Sequence, residues 1–177
     1  MALAEAILVC LTERPMSGYD LAKNFDASIG FFWRASHQQI YRELGRLREK
    51  GYVISQEVSQ SGKPNRIIHT LTPEGQKALR AWSKKPSKHP SIKDEMLVKF
   101  YALENMDIDA LKDQLTIRME QHQTKLVKYH RIKERYYDGK SLDLTQKGKL
   151  IALELGIDQE VHMIERLEAA MVKIGNL

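Results

Sequence analysis

The sequence predicts a mainly α-helical protein with one small β-hairpin, divided into an N-terminal and a C-terminal domain. Three observations predict this class. Three segments with apolar residues at helical spacing come first, two β-branched segments around a turn-forming loop come next, and long helical patterns follow a proline-rich linker.

Composition limits the class of protein before any element is assigned. The chain has 177 residues, of which 42% are hydrophobic and 29% charged, and this balance is typical of a folded protein of one or two domains. Its longest apolar stretch, residues 6–11, is far shorter than the ~20 residues that span a bilayer. Only Glu5 precedes it as a charge, whereas a signal peptide begins with Lys or Arg, and a lone Cys10 forms no internal disulfide. We therefore expect a cytoplasmic protein without a membrane partner.

Positive charge is concentrated in the first half of the chain. Residues 1–90 contain 14 Lys and Arg against 8 Asp and Glu, a net charge of +6, whereas residues 91–177 contain 14 against 15, a net charge of −1. Such asymmetry favours an anionic partner for the first half, either nucleic acid or an acidic membrane surface. Alternatively, the charges only solvate the surface.

The first two helices are short. Residues 2–11 form an apolar segment that Arg14-Pro15 ends, because proline cannot continue a helix. Ser17 then begins a second helix, with Asp20 three residues later in an arrangement resembling a capping box.

The third helix has the clearest boundaries. Ser36 and Gln39 form a second capping-box pattern at its start, and Lys50-Gly51 ends it. Its apolar positions recur at helical spacing and are Ile40, Tyr41, Leu44 and Leu47. One polar and one apolar face are therefore expected.

A hairpin, a fourth helix and a linker follow. Residues 52–59 and 66–71 are predicted strands, and residues 60–65 supply the Gly, Pro and Asn of a hairpin loop. Thr72-Pro73 begins the fourth helix, with Thr as the cap and Pro in the first helical position. Residues 86–91 are the predicted linker between a domain at 1–85 and a domain at 92–177.

Three helices followed by a hairpin are the element order of a winged helix-turn-helix, in which the third helix enters the DNA major groove and the hairpin, or wing, lies along the backbone or minor groove. The first turn of the third helix offers polar side chains to base edges, and basic residues around it and near the wing tip suit phosphates. The predicted DNA-binding residues are Arg34, Ser36, His37, Gln38, Gln39, Tyr41, Arg42, Arg46, Lys63 and Arg66.

Each of these residues also has a structural explanation. The polar residues of the first turn are often only solvated, and Tyr41 lies on the apolar face, where it can belong to the core. Lys63 and Arg66 can simply keep an exposed hairpin from pairing with other chains. As a whole, the domain can also be a scaffold that binds a protein partner instead of DNA.

Several motifs in order resemble the PadR family of bacterial transcriptional regulators. They are residues 16–21 (Met-Ser-Gly-Tyr-Asp-Leu), Phe32-Trp33, residues 36–44, residues 51–53 and residues 71–75. The resemblance covers roughly residues 2–82, and the C-terminal half resembles the virulence-activator-type domain of the longer PadR subgroup. It implies a regulator that binds double-stranded DNA sequence-specifically, and we expect a repressor. Arg42 departs from the family pattern, because many members have proline there.

The C-terminal half contains two long amphipathic helices. The first begins near Ile108 and ends at Asp138-Gly139. The second carries an apolar stripe at heptad-like spacing, which is predicted to form the dimer contact: Leu150, Leu153, Ile157, Val161, Ile164, Leu167, Met171 and Ile174. Alternatively, the stripe packs within the chain, on the first long helix or on the segment 94–103. The PadR resemblance favours a homodimer that binds a pseudo-palindromic operator.

The resemblance also implies a small aromatic effector, because family members include repressors of phenolic-acid stress genes. Aromatic residues that are candidates for lining its pocket are Trp33, Trp82, Phe100, Tyr101 and Tyr129. Aromatic residues at these spacings are also compatible with ordinary core packing.

Catalytic motifs are not found in the sequence. Gly139-Lys140-Ser141 resembles the end of a phosphate-binding loop, but Glu134 stands where that motif requires glycine. Neither a Gly-x-Ser-x-Gly nor a His-Glu-x-x-His sequence occurs, and His122 and His130 have no carboxylate pair at metal-ligand spacing. The sequence therefore predicts that the protein is not an enzyme and has no cofactor and no metal.

Overall fold

The computed structural model describes residues 3–27, 35–60, 63–87 and 93–176, with only the backbone of residues 26, 27, 60, 63 and 64. The chain divides into two compact units, Met1–Pro90 and Ser91–Leu177. The fold class is the predicted one, mainly helical with a winged-helix arrangement in the first unit.

The first unit contains four helices and a three-stranded sheet among its described residues. In chain order the elements are α1 (Leu3–Leu11), β1 (Met16–Ser17), α2 (Gly18–Ala27), α3 (His37–Glu49), β2 (Val53–Gln60), β3 (Lys63–Leu71) and α4 (Pro73–Ser83). Local signals in the sequence locate the helix ends. The Ser17 hydroxyl accepts from the Asp20 N–H at 3.1 Å, and the Thr72 hydroxyl accepts from the Gly75 N–H at 3.0 Å.

The sheet differs from the prediction in two respects. Its strand order is β1-β3-β2, all antiparallel, and the two-residue β1 pairs Met16 with His69 and Ser17 with Ile68. Sequence analysis missed β1, because two residues carry no strand pattern of their own. In addition, β3 begins at Lys63 instead of residue 66, and a register irregularity between Val58 and Gln60 adjusts the pairing near the wing tip.

An apolar core joins α1, α2 and α3 of the first unit to the base of the wing. All of its members are at most 4% exposed: Ile7, Leu8, Cys10, Leu11, Met16, Leu21, Ala22, Phe25, Ile40, Leu44, Leu47 and Val53. Since α3 contributes three of these residues, one of its faces is fixed against the core and the opposite face is left to solvent.

The second unit consists of α5 (Glu95–Tyr101), a 3-10 turn (Leu103–Asn105), α6 (Ile108–Tyr136) and α7 (Leu144–Gly175). Asp107 caps α6, and Asp143 and Gln146 form a capping box at the start of α7. Near the predicted end of the first long helix, Gly139 has a φ of 69°, a left-handed conformation that glycine tolerates. The helical segment predicted at 94–103 is shorter in the structure: α5 ends at Tyr101, and a 3-10 turn follows at Leu103–Asn105.

The apolar stripe predicted for dimerisation packs inside the chain. Leu153, Ile157, Leu167 and Ile174 are buried, and Leu150, Val161, Ile164 and Met171 are half-buried. Leu167, Met171 and Ile174 join a core with Met96 of α5 and Leu115 of α6. Part of the stripe therefore packs within the chain, which the sequence allowed as an alternative, and its half-buried members keep some exposed surface, so that the dimer contact stays a prediction.

A polar cluster interrupts the packing between α6 and α7. Glu160 of α7 is only 2% exposed, and its carboxylate contacts His122 Nδ1 at 2.5 Å and the Lys125 ammonium. Burial alone would lower the pKa of Lys125, but its hydrogen bonds to Glu160 and Tyr129 outweigh this effect and raise the pKa. Tyr129 is buried beside Gly156, where a Cβ would lie 3.1 Å from the ring.

Two features are absent from the described segments, residues 3–27, 35–60, 63–87 and 93–176. None of the helices there combines the length with the apolar character that crossing a bilayer requires. Nor do three or more His, Cys, Asp or Glu side chains in these segments come together in a group that could hold a metal ion.

Candidate DNA-binding surface

The start of α3 is fixed by a complete capping box. The Gln39 N–H donates to Ser36 Oγ at 3.2 Å, and the Ser36 N–H donates to Gln39 Oε1 at 2.8 Å. Ser36 and Gln39 are therefore occupied with the helix end itself. His37 and Gln38 between them are exposed, and no described side chain hydrogen-bonds to either.

Basic residues continue along the exposed side of α3. Arg42 and Arg46 are exposed, and the Arg46 guanidinium donates to Glu43 Oε2 at 3.1 Å while 54% of its side chain remains accessible. A surface ion pair of this kind contributes little energy and releases its cation readily. The first turn of α3 thus offers neutral polar groups, and the following turns offer positive charge.

Tyr41 lies where α3 meets α2. Half of the residue is exposed, at 50%, and its ring packs directly on the backbone of Gly18. A Cβ at position 18 would lie 2.3 Å from Tyr41 Cε1, so only glycine leaves room for the ring in this place. Tyr41 therefore packs against α2 and keeps half of its surface exposed, and its contact with DNA stays a prediction.

On the wing, Arg66 has a partner inside the protein. Its Nη2 donates to Ser17 Oγ at 3.2 Å, and the guanidinium forms an ion pair with the Asp20 carboxylate. Across the hairpin, the Asn65 amide donates to Glu57 Oε1 at 2.7 Å. Lys63 is the first residue of β3, and its side chain lies outside the described atoms. The same holds for all of Arg34.

His69 lies on β3 at the base of the wing. It is 9% exposed, and its Nδ1 lies 2.9 Å from Ser55 Oγ on the neighbouring strand. Burial lowers the pKa of this imidazole, and the positive charge of Arg48 on α3 lowers it further. The base of the wing is therefore built around a neutral histidine.

The predicted effector residues are in different environments. Trp82 is 38% exposed on α4, Phe100 is half-buried on the core of the second unit, Tyr101 is 94% exposed, and Tyr129 is 2% exposed. Trp33 lies outside the described residues. A separate open concavity of about 740 Å³ lies along α6 and contains none of them; it is lined by Glu120, Gln123, Thr124, Val127, Lys128 and Arg131.

Sequence analysis overlooked two residues of this surface. Tyr19 is 62% exposed at the start of α2, one residue from the Gly18 backbone that supports Tyr41. Asp20 was interpreted only as part of a cap, yet it also binds Arg66 of the wing. The motif at residues 16–21 contained both, but no local pattern connects position 20 with position 66.

An exposed polar helix start on a basic unit, supported by α2 and flanked by a β-wing, defines a winged helix-turn-helix protein of the DNA-binding type. The family model of the "Transcriptional regulator PadR-like family" matches residues 7–81, and that of "Virulence activator alpha C-term" matches residues 92–173. The chain belongs to the PadR-like family of transcriptional regulators. This confirms the resemblance found in the sequence and, because the family consists of regulators, the prediction that the protein is not an enzyme.

Three relatives resemble the chain over nearly its whole length. The probable transcriptional regulator Rv1176c of Mycobacterium tuberculosis is 33% identical, with 95% of each chain covered. The negative transcriptional regulator PadR of Bacillus subtilis is 27% identical, with 97% of each covered. A crystal structure of that PadR with operator DNA has a TM-score of 0.83 at 28% identity (98% and 99% covered), and one with p-coumaric acid has a TM-score of 0.78 at 27% identity (99% of each covered). The Vibrio cholerae virulence activator AphA has a TM-score of 0.79 at 30% identity, with 98% of each chain covered.

Proposed function

We propose that this regulator is a homodimeric repressor that reads a pseudo-palindromic operator with the first turn of α3. One observation supports the proposal above all: the capping box holds the helix start rigidly while His37 and Gln38 remain exposed and unengaged by the described side chains. Glutamine suits the bidentate pairing with adenine that gives sequence recognition in the major groove. The operator complex of the Bacillus subtilis relative supports the same use of the fold.

Within the predicted set, the structure suggests a division of roles. His37 and Gln38 contact base edges, whereas Ser36 and Gln39 hold the helix end in place. Tyr41, Arg42, Arg46, Lys63 and Arg34 contact phosphates. Arg66 needs separate treatment, because its charge is balanced within the protein.

The test of DNA binding is a salt titration. Duplexes recovered by selection from a random pool serve as the preferred site, and scrambled duplexes of the same length serve as the control. The logarithm of the binding constant is expected to fall linearly with the logarithm of the salt concentration, with a slope of about −0.9 for each phosphate contact. A flat response would instead support a protein-binding scaffold and end the DNA proposal.

Two variants separate base contacts from phosphate contacts. Gln38→Ala is expected to weaken binding to the selected site by about 1–3 kcal/mol and to change binding to the scrambled duplex very little. Lys63→Ala is expected to weaken both duplexes alike, with a shallower salt slope. Equal losses for Gln38→Ala on the two duplexes would contradict the role of α3 as the reading helix.

The homodimer is proposed to use the side of α7 that faces away from α6. Leu144, Ile151 and Leu155 recur there at intervals of seven and four residues and are 87%, 58% and 66% exposed. An exposed apolar stripe of this kind is typical of a contact with another helix. Two-fold symmetry then presents two α3 helices to the two half-sites of an operator.

Light scattering tests this interface. Leu155→Glu is expected to convert a dimer into a monomer, because a carboxylate would be buried in the contact. Ile117→Glu is the matched control, since Ile117 of α6 is also exposed, at 54%, but lies outside the stripe. If Leu155→Glu stays dimeric, or if both variants dissociate, the α7 stripe is not the specific contact.

We also propose that a small aromatic effector releases the operator. The p-coumaric acid complex of the Bacillus subtilis relative supports this class of ligand. The effector has two candidate sites: the predicted aromatic residues and, as an alternative, the concavity along α6. The concavity is a candidate because Lys128 and Arg131 suit the carboxylate of a phenolic acid.

Titration with p-coumaric acid distinguishes the two sites. A site on α6 predicts that Arg131→Gln weakens binding about tenfold while Trp82→Phe has no effect, since a hydrogen bond to a charged group contributes about 1.5 kcal/mol or more. If the predicted aromatic residues form the site instead, Trp82→Phe should weaken binding and Arg131→Gln should have no effect. A reporter gene behind the selected operator then tests repression, which p-coumaric acid should relieve.

A further inference from the structure

The wing is joined to the helix-turn-helix by a small polar network. Arg66 of β3 contacts both Ser17 and Asp20, and the Ser17 hydroxyl donates to Asp20 Oδ2 at 3.0 Å. Ser17 is 4% exposed, whereas the side chains of Arg66 and Asp20 are 39% and 27% exposed. One carboxylate therefore binds the wing arginine at the edge of solvent, next to the backbone pairing of Ser17 with Ile68.

This network lies beside the proposed reading surface. Asp20 is two residues from Gly18, whose backbone carries the ring of Tyr41 from α3. The α2 start thus contacts α3 on one side and the wing on the other. A negative charge here is unexpected for a surface that meets phosphates, and it requires an explanation beyond helix capping, which the neutral amide of asparagine would also provide.

We propose that Asp20 is a positioning residue that determines DNA specificity. It holds Arg66, and with it the base of the wing, in a fixed place relative to α3. It also balances the Arg66 charge, so that this cation does not add a phosphate contact to every duplex the protein meets. The inference rests on the proposed binding of DNA by α3 and the wing, and it adds that the wing is restrained before DNA arrives.

The variant Asp20→Asn removes the charge while keeping the shape. Its amide oxygen still accepts from the Ser17 hydroxyl, and its backbone N–H still donates to Ser17, so the start of α2 is preserved. Freed from its partner, Arg66 becomes available to phosphate. For scrambled duplex, the slope of log K against log salt should become steeper by about 0.9, and affinity should rise several-fold. Affinity for the selected site should rise less, so that the specificity ratio falls.

The matched control is Glu74→Gln, which makes the same change of net charge in the same unit. Glu74 is on α4, 61% exposed, and pairs only loosely with Lys77 at 3.7 Å. The control should leave the salt slope unchanged. If it steepens the slope as much as Asp20→Asn does, net charge alone is responsible and the inference is overturned.

The double variant Asp20→Asn/Arg66→Gln gives a second, independent measurement, which remains available if the single variant folds poorly. Because the pair is neutral in total, the double variant should keep the wild-type slope on scrambled duplex and still lose specificity. A slope about 0.9 shallower than that of the wild type would show that Arg66 is itself a phosphate ligand in the wild type, and would overturn the inference.

The same titration distinguishes the two possible failures. A wild-type chain with no salt dependence contradicts the proposed DNA binding as a whole. A wild-type chain with a steep slope that Asp20→Asn leaves unchanged, or a folded Asp20→Asn variant that no longer binds, contradicts only the role of Asp20. Circular dichroism melting of each variant confirms that the folded state is being compared.

Discussion

The two units of this chain use apolar and charged residues in opposite ways. Every buried residue of the core cluster in the N-terminal unit is apolar, and the ion pair of Asp20 with Arg66, which joins α2 to the wing, is partly exposed. The C-terminal unit buries Glu160 with His122 and Lys125 between its long helices, and leaves Leu144 and Leu155 of α7 in solvent. The core cluster of the first unit thus excludes charge, whereas the packing between the long helices of the second unit includes a buried carboxylate that needs charged partners.

The largest expected effect tests whether the two units are stable independently. Leu47→Ala in the first unit and Leu115→Ala in the second each empty a buried site, at 2% and 0% exposure, and each should cost about 3 kcal/mol. Both tryptophans, Trp33 and Trp82, belong to the first unit, so their fluorescence reports that unit alone, whereas circular dichroism reports both.

In urea unfolding, Leu47→Ala should therefore shift the fluorescence transition and the part of the circular dichroism signal that follows it, and leave the rest of the circular dichroism signal unchanged. Leu115→Ala should shift only the part of the circular dichroism signal that fluorescence does not follow. If either variant moves both signals equally, the units unfold as one, and the contrast between them does not extend to stability.

The second expected effect concerns the contact between α2 and α3. Gly18→Ala places a Cβ within 2.3 Å of the Tyr41 ring, so the ring or the helix must shift. We expect about tenfold weaker operator binding, about 1.4 kcal/mol, as is typical when one charged-group contact is lost. In a Tyr41→Ala background the glycine substitution should have no further effect, because its cause has been removed. Additive losses would show that Gly18 acts on DNA binding by another route.

The contrast between the units also explains how much the sequence could predict. In the first unit, helix ends depend on neighbouring residues such as Ser36 with Gln39, or Thr72 with Pro73, and these were readable. The strand β1 and the Asp20–Arg66 pair were not, because each depends on a partner about fifty positions away in the sequence. Local patterns thus located the start and end of α3 but not the contacts between the start of α2 and the wing.

In the second unit, the bounds of the first long helix were predictable, but the use of each helix face was not. The helix α7 carries one apolar series around Leu153 and Ile157 and another through Ile151 and Leu155. Periodicity identifies apolar positions without saying which neighbour covers them. The series with Leu153 and Ile157 is buried in the same chain, where α7 packs on α6, and the series with Ile151 and Leu155 is exposed. Which face a long helix turns inward is decided by tertiary packing.

A smaller effect concerns the charged pair between α5 and α6. Asp94 accepts from both Nη atoms of Arg118, at 2.8 and 2.5 Å, and also caps α5 through the Met96 N–H. Chiefly through the hydrogen bonds from Arg118, its pKa lies below the ordinary value of 3.8. Asp94→Asn keeps the cap and loses the ion pair, at a cost of about 1 kcal/mol or less near neutral pH.

The pH dependence of that cost follows from the direction in which the pKa of Asp94 is shifted. A depressed carboxyl pKa stabilises the folded state above pH 3.8, and the stabilisation disappears as the pH falls through the lower folded value. Wild type and Asp94→Asn should therefore differ at pH 7 and converge in strong acid. Urea unfolding followed by circular dichroism measures this, and a difference that does not shrink as the pH falls far below 3.8 would assign the effect to the cap instead of the charge.

The smallest expected effect is the response of the first unit to mild acid. Burial and Arg48 lower the pKa of His69 below 6.5, so the unfolded chain takes up a proton before the folded one does. The folded state is thus favoured fully above pH 6.5, and that advantage declines as the pH falls towards the lower folded value. Tryptophan fluorescence should show the decline between pH 7 and pH 5.5, where Asp94 is still ionised. His69→Gln should flatten it, because an amide does not titrate in this range. If the slope survives that substitution, another group titrates in the first unit, and the histidine at the wing base is not the cause of the decline.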